Sequence, residues 1–548
     1  MHQGSGNPRR AMFVTIRRLL AALALALATG GERPAAGQGG KPPAGPVRID
    51  PSDEFFSKGL IPHLRIRLAK EAEQSLRAEP RKYVECTLIE DGKTSYEGVR
   101  VKLKGAAGSF RPLDSLPALT LNIAKGKPEF HGLDKFHLNN SVQDESYMAE
   151  LLASQLCRQA GLPAARASHA RVWLNDRDLG FYGLKEGFDE EFLARNFPAA
   201  AAKGNLYDGG FLLDIDSDLE RDEGEGPDDK ADLKALLAAC REGDPARRWT
   251  LIGERLDVDS FLNLVALELM MGHWDGYAQN KNNYRIFFRG DTKKAVFFPH
   301  GMDQMFGDPN YPVFNVPGTI VSTAVLQNPQ WSAKYRQRVR ELLPLFAPER
   351  LHARVDAAQQ RIRPVLAAMS PERSRHVDDR IRDFRNLLND RQRNIRGQLP
   401  PEPVAFGKQG WATLEGWEPN PEGDAKLEKQ KVAGRPLLVL ETGPSKNCVA
   451  SFRVKVRLGR GHYRLEGKVR TVNVKGINDT KGSGAGLRLA GADRQNANKA
   501  VGTGDWQVLS YPFSVTEDQR DVELVAELRS TGGGAVFDES SMRLVRVK

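Results

Sequence analysis

Three prolines, Pro400, Pro401 and Pro403, separate two textures that cannot share one core. Before them, residues 332–397 carry apolar side chains at helical spacing, as in Leu342, Leu343 and Leu345, then Ile362, Val365 and Leu366. After them the period falls to two. Phe452, Val454, Val456 and Leu458 alternate with Arg453, Lys455 and Arg457, and Val522, Leu524, Ala526 and Leu528 repeat the pattern. Similar runs lie at 436–441, 462–470, 485–489, 506–514 and 535–547, parted by Gly and Asn/Asp clusters. Short strands at this spacing predict an all-β sandwich, jelly-roll-like, over 410–548, with 401–409 as linker. A chain of 548 residues exceeds what one core supports, so division into domains is expected on length as well.

Residues 48–400 read as α+β. Strand patterns cover 83–89, 99–103, 118–123, 168–174 and 180–184, and a helix follows Asp144 with Met148, Leu151, Leu152 and Leu156 as its apolar face. Residues 232–271 are helical in pattern, and two further strands, 284–288 and 295–298, flank Arg289-Gly290-Asp291. Strands come first and helices later, which argues against alternating βαβ units.

The first residues read as an export signal. Arg9, Arg10, Arg17 and Arg18 precede the apolar run Leu19–Ala28, which ends in small residues and is too short to span a bilayer. Residues 1–28 are therefore expected to be a signal peptide and 29–47 a Gly/Pro/Ala-rich disordered lead-in, giving a secreted or extracytoplasmic protein without a transmembrane anchor. Cys86, Cys157, Cys240 and Cys448 are far apart, with no paired metal-ligand spacing and no disulfide framework. The net charge of +10 favours anionic partners, but Lys and Arg are spread along the chain and never interleave with aromatics as nucleic-acid binding requires. The acidic stretch Asp214–Glu225 has Leu219 where a calcium loop needs Gly, so it reads as a solvated loop.

Chemistry concentrates in two stretches, His273 to Tyr284 and Pro299 to Gly307. Each places an acid, Asp275 or Asp303, among bulky apolar residues. A buried carboxylate is costly unless paired or metal-bound. Asp275 and Asn280 have the Asp-x4-Asn spacing of a kinase catalytic loop, and a hairpin then leads to Asp303. Tight-turn asparagines are the other reading of the same residues.

His-Trp-Asp-Gly-Tyr followed by Asn-Asn-Tyr-Arg, and then Pro-His-Gly-Met-Asp-Gln-Met-Phe-Gly, resemble the signature of the spore-coat-protein-H-like (CotH) kinases. The resemblance runs over about 50–400 through Val101–Gly105, Leu138-Asn139-Asn140, Asp144, Leu174-Asn175, Gly180-Phe181-Tyr182, Glu186 and Gly204–Tyr207. It implies an atypical, two-lobed, kinase-like fold that uses ATP with Mg2+ or Mn2+ and phosphorylates protein Ser/Thr hydroxyls. Asp275 would be the catalytic or metal-associated acid, with Asp303 and Asn280 on the metal. Candidate nucleotide contacts are Lys102 and Lys104, with Lys125 and Lys135 behind them, the backbone at Gly105 and Gly108, Glu150 as the partner that orients the Lys, and Glu186. Relatives are expected to carry a Lys just before Ala118, where this chain reads Asp114-Ser115-Leu116-Pro117. The alternatives are a non-catalytic kinase-like scaffold or adhesion protein of the envelope, and a carbohydrate-active enzyme that uses both acids. The C-terminal segment resembles carbohydrate-binding modules through Gly461–Leu465, Gly504-Asp505-Trp506 and Phe537-Asp538, with Trp411, Trp417 and Trp506 as candidate sugar platforms.

Overall fold

The computed structural model describes residues 51–547, apart from 107, 317, 402, 478–481, 493–497 and 518–519. The expected signal peptide and lead-in lie outside the described residues. The described residues up to 399 form one compact unit, and those from 400 onward fall in a second.

The N-terminal unit begins with helix α1 (Pro51–Lys58), strand β1 (His63–Arg67), helix α2 (Lys70–Ala78) and strands β2 (Val84–Glu90), β3 (Thr94–Lys104), β4 (Ala118–Ile123) and β5 (Lys135–Asn139). Helix α3 (Ala149–Gln159) precedes β6 (Ala167–Leu174) and β7 (Arg177–Glu186). The seven strands close into a barrel in the order β1-β2-β3-β4-β5-β7-β6, sealed by parallel pairing of β1 with β6. Closure follows from the alternation. Val99, Val101 and Leu103, Leu119 and Leu121, and Phe136 and Leu138 all turn inward and are buried. The residues between them turn outward and form the wall of the site.

Helices α4 (Glu190–Asn196) and α5 (Ala199–Ala202) lead to β8 (Asn205–Asp208) and β9 (Glu220–Glu223). Helices α6 (Ala231–Arg241), α7 (Pro245–Arg255), α8 (Val258–Met271) and α9 (Tyr277–Asn280) follow, then β10 (Tyr284–Phe288) and β11 (Ala295–Pro299). The second sheet has the order β11-β10-β8-β9. Helices α10 (Ile320–Leu326), α11 (Pro329–Leu342), α12 (Pro348–Met369) and α13 (Pro371–Gln398) complete the unit. Helix α8 is largely apolar, and every residue from Phe261 to Met271 is buried, Asn263 and Glu268 included. Asp257 caps its start by accepting from Ser260 N at 3.1 Å, and Gly272 ends it at φ 71°, a left-handed turn that suits glycine. That stop aims the following loop, with Asp275, away from the helix axis. Arg391 of α13 closes the same end. Fully buried, it donates to the carbonyls of Leu269 (2.6 Å), Met270 (2.9 Å), Pro309 (3.1 Å) and Tyr311 (2.6 Å). Burial pushes its guanidinium down to about 10.

The C-terminal unit holds β12 (Trp411–Thr413), β13 (Glu418–Asn420), β14 (Ala425–Val432), β15 (Arg435–Thr442), β16 (Cys448–Leu458), β17 (Gly461–Gly476), β18 (Gly484–Leu489), β19 (Lys499–Ala500), β20 (Gly502–Val515) and β21 (Arg520–Val547). The sequence pattern predicts separate strands near 522–528 and 535–547. The structure joins them into the 28-residue β21, which pairs with β16 and β18 early and with β12, β15 and β17 later. Gly532, Gly533 and Gly534 lie between the two runs, and Gly533 at φ 88° accommodates a bend that other residues resist. The two halves of the sheet enclose a core of Phe452, Leu487, Phe537 and Trp417. Cys86, Cys157, Cys240 and Cys448 are all free thiols.

Candidate functional site

Pairing register puts the site on the outer face of the barrel. Lys102 of β3 lies opposite Thr120 of β4, Thr120 opposite His137 of β5, and His137 opposite Lys185 of β7. Residues directly opposite in antiparallel strands share a face, so these four form one row across the sheet. Lys104 and Asn139, two residues along their strands, extend it.

The row carries a hydrogen-bonded relay. Lys104 Nζ donates to Asn139 Oδ1 at 2.7 Å, and Asn139 Nδ2 donates to Glu150 Oε2 at 2.6 Å. Glu150 Oε1 takes the ammonium of Lys185 at 2.5 Å. Glu150 occupies the first turn of α3, whose buried face of Leu151, Leu152, Leu156 and Cys157 fixes the direction of the helix. Asp144 caps that helix by accepting from Ser146 N (3.0 Å) and Ala149 N (2.9 Å), and burial pushes its carboxyl up to about 6. The structure thus gives Glu150 a direct partner that sequence reasoning missed. It pairs with Lys185, and it reaches Lys104 only through Asn139. Lys102 lies at the far end of the row, with its ammonium 4.6 Å from the ring centre of Tyr83.

Two loops face this wall. Asp275 Oδ1 accepts from Asn280 Nδ2 at 2.8 Å, and Oδ2 accepts from Asn282 Nδ2 (2.9 Å) and Asn283 Nδ2 (2.8 Å). Asn283 Nδ2 also reaches the carbonyl of Asp275 at 3.0 Å. The asparagines therefore hold the acid itself as well as the turn. His273 Nε2 donates to the carbonyl of His300 at 3.0 Å, and His300 N donates to Asn283 O at 2.8 Å, which ties the first loop to the second. His300 Nδ1 lies 3.3 Å from Lys185 Nζ. Burial, followed by the charge of Lys185, holds the His300 imidazole well below its ordinary range, so it is neutral and can accept from the ammonium.

Three residues beyond His300, Asp303 feels the same cluster. Its carboxyl is raised first by burial and then by Glu150, with Lys185 and Lys104 opposing. Burial works to raise Glu150 as well, but Lys185, Lys104 and the Asn139 amide together hold that carboxyl below the ordinary range. Burial and the neighbouring charge of Lys185 push Lys104 down to about 7. At the outer end, Arg285 of β10 donates to Asp208 at 2.8 Å and to Asp222 at 3.2 Å.

Several expected contacts fall elsewhere. Glu186 follows Lys185 directly, so alternation sends it to the opposite face, opposite the buried Phe136. There its carboxylate is buried against Arg166 (2.9 Å) and Arg195. Gly105 and Gly108 are both left-handed, and beside them Ser109 N and Phe110 N donate to Ala106 O. No Lys precedes Ala118; Leu116 is exposed there, and its carbonyl is held by Asn140 at 2.8 Å. The acidic stretch after β8 splits among separate partners. Asp214 is buried and accepts from Tyr277 OH, Asp216 pairs with Arg241, and Asp218 pairs with Lys230. In the C-terminal unit, Trp417 is fully buried and donates to Leu414 O, so it is core and presents no face to a sugar. Trp411 and Trp506 are half-buried, and the guanidinium of Arg543 lies 5.8 Å from the Trp411 ring centre.

A strand-borne Lys paired with a helix-borne Glu, facing a loop acid and a second acid after a hairpin, defines a kinase-like site. The family model described as CotH kinase protein matches residues 109–395, and the chain belongs to that family. The inner spore coat protein H of Bacillus subtilis is 23% identical over 268 residues, covering 45% of this chain and 73% of that protein. The Rhizopus delemar invasin CotH7 is 24% identical over 260 residues, covering 42% of this chain and 43% of the invasin, so the chain spans less than half of that relative. Among solved structures, the Helicobacter pylori proinflammatory kinase CtkA is 11% identical, with a TM-score of 0.24, over 51% of this chain and 95% of that one. TmCBM61 in complex with beta-1,4-galactotriose is 15% identical, with a TM-score of 0.18, over 26% of this chain and 98% of that one.

Proposed function

We propose that the chain transfers the γ-phosphoryl group of ATP to Ser/Thr hydroxyls of proteins. The observation that carries this reading is the Lys185–Glu150 ion pair in the company of Asp303. Kinases need such a pair, together with a metal-binding acid, before phosphates are correctly held. The cationic wall of Lys104 and Lys185 would take the phosphates. Asp275, oriented by its three asparagine amides, would accept the proton of the acceptor hydroxyl as that oxygen bonds to phosphorus and the bond to ADP breaks.

The donors suit a divalent cation held jointly with a nucleotide. Glu150 disfavours a bare charge on Asp303, and a cation relieves this. Among the described residues no three His, Cys, Asp or Glu side chains gather as a ligand set. Mg2+ or Mn2+ would therefore rest on Asp303 and the side-chain oxygen of Asn280, with phosphate oxygens and water completing the shell. Bound there, it would neutralise phosphate charge.

A second reading, a non-catalytic scaffold, is favoured by the stretch Asp114-Ser115-Leu116-Pro117, which holds no Lys just before Ala118. Isothermal titration of the full chain with ATP, with and without Mn2+, separates the two when combined with labelled-phosphate transfer to acceptor proteins. Metal-dependent binding with transfer supports the kinase. Binding without transfer supports the scaffold, and absence of both removes the nucleotide site. Asp303→Asn should remove most metal-dependent ATP binding, and Asp275→Asn should abolish transfer with smaller losses in binding.

The names of the relatives, a spore coat protein and an invasin, support an extracytoplasmic setting and an envelope or coat protein as acceptor. Among the described residues no helix is long and apolar enough to cross a membrane. A carbohydrate ligand of the C-terminal unit would use Trp411, whose ring is neither fully buried nor unsupported.

A further inference from the structure

Beneath the Asp275 loop lies a carboxyl that the proposed chemistry does not use. Glu268, on the last turn of α8, has no exposed surface. Its Oε1 accepts the N–H of Tyr277 at 3.2 Å, and its Oε2 accepts the N–H of Ala278 at 2.9 Å. Its own carbonyl accepts from His273 N at 2.7 Å. One residue thus contacts the loop on both sides of Asp275.

The packing at Gly276 is equally specific. Gly276 has φ −84° and ψ −179°, a conformation open to any residue, so its backbone does not demand glycine. Space does. A Cβ there would lie 2.8 Å from Cδ of Glu268 and 2.9 Å from each of its carboxyl oxygens. The residue after Asp275 is therefore pressed directly onto the Glu268 carboxyl. The turn it enters is held from the side as well, since Tyr277 OH donates to Asp214 at 2.9 Å and Asp214 also accepts from Ile320 N at 2.9 Å.

We infer that Glu268 is the positioning residue of the Asp275 loop, acting through the Tyr277 and Ala278 amides and the contact with Gly276. The inference rests on Asp275 being the base proposed above. Glu268 touches no reacting atom. It fixes where the Asp275 oxygens stand relative to an acceptor hydroxyl, and a displacement of about 1 Å can cost about 100-fold in rate.

The test uses the full chain with Mn2+ and ATP, and reads transfer, ATP binding and amide exchange. Glu268→Ala should lower kcat by about 100-fold, leave the ATP dissociation constant within about twofold, and speed exchange of the Tyr277 and Ala278 amides while α8 stays protected. Gly276→Ala, a change in the buried turn beyond α8 that leaves the helix sequence intact, should reproduce the loss of kcat when Glu268 is present. In a Glu268→Ala background it should add less than about twofold, because the clash is gone. Full multiplication of the two losses would overturn the inference. So would unchanged kcat and exchange in Glu268→Ala, or a parallel collapse of ATP binding, exchange protection and melting temperature in both variants. If the wild-type chain binds Mn2+–ATP but transfers nothing, the kinase reading fails, and exchange then decides on Glu268 alone. Loosening confined to residues 275–283 in both single variants upholds the clamp, and unchanged exchange removes it.

Discussion

Lys185 Nζ stands 2.5 Å from Glu150 Oε1, a contact between residues 35 positions apart that joins the last strand of the barrel to the helix packed beside it. Both side chains are largely withdrawn from water. Removing one partner leaves the other as an uncompensated buried charge, which costs about 3–5 kcal/mol. Lys185→Met and Glu150→Gln should each lower the denaturant midpoint by that equivalent and abolish metal-dependent ATP binding. The double variant should recover most of the stability and none of the binding, as urea titration and calorimetry can show.

Lys104 gives the site a pH dependence. Burial and Lys185 hold its ammonium at about 7, below the ordinary lysine value. A bound polyphosphate favours the charged form, so binding should draw a proton from solution. Affinity for ATP is then flat below pH 7 and falls up to about tenfold per unit above it. Calorimetry in buffers of differing ionisation enthalpy at pH 7.5 should show net proton uptake, and Lys104→Met should remove it. The sign for stability is the reverse of a salt bridge. The folded protein binds this proton less tightly than the unfolded chain, so the burial cost is full below pH 7 and relaxes as pH rises towards the ordinary lysine value.

The asparagines around Asp275 should separate positioning from binding. Asn282 is buried and donates to Oδ2 at 2.9 Å. Asn282→Ala should reduce kcat by about 10- to 100-fold and leave ATP affinity within about threefold. Equal losses in both would place Asn282 in nucleotide binding instead.

The tryptophans of the C-terminal unit should part company. Trp417→Ala opens a cavity in a closed core and should cost about 3–5 kcal/mol. Trp411→Ala should cost about 1 kcal/mol or less, and should weaken retardation of the chain in polysaccharide gels if that face holds sugar. Equal destabilisation by both would make Trp411 core as well.

Local pattern reached the two acid loops because each packs its chemistry into about ten consecutive residues, His273 to Tyr284 and Pro299 to Gly307. It also reached strands 118–123 and 284–288 at their observed bounds, the first through alternation of Leu119, Leu121 and Ile123 with polar residues, the second as a short, largely apolar run. It missed β5, which has only five residues, and with β5 it missed the row that aligns His137 with Lys185. Lys185 was visible as the lone cation at the end of Gly-Phe-Tyr-Gly-Leu, but its role depends on register, and register is a tertiary property. The same one-residue offset sends Glu186 to the opposite face. Trp417 shows the complementary limit, because composition marks an aromatic but cannot say which side of a sheet covers it.

Arg391 sets an order in time. It sits on α13, the final helix of its unit, yet its guanidinium satisfies the carbonyls that end α8 just before the Asp275 loop. On the ribosome the chain carries Asp275, Lys185 and Glu150 well before Arg391 arrives. Until it does, the carbonyls of Leu269 and Met270 lack their guanidinium partner. The end of α8 that leads into the Asp275 loop is therefore pinned from this side only once the last helix of the unit has docked.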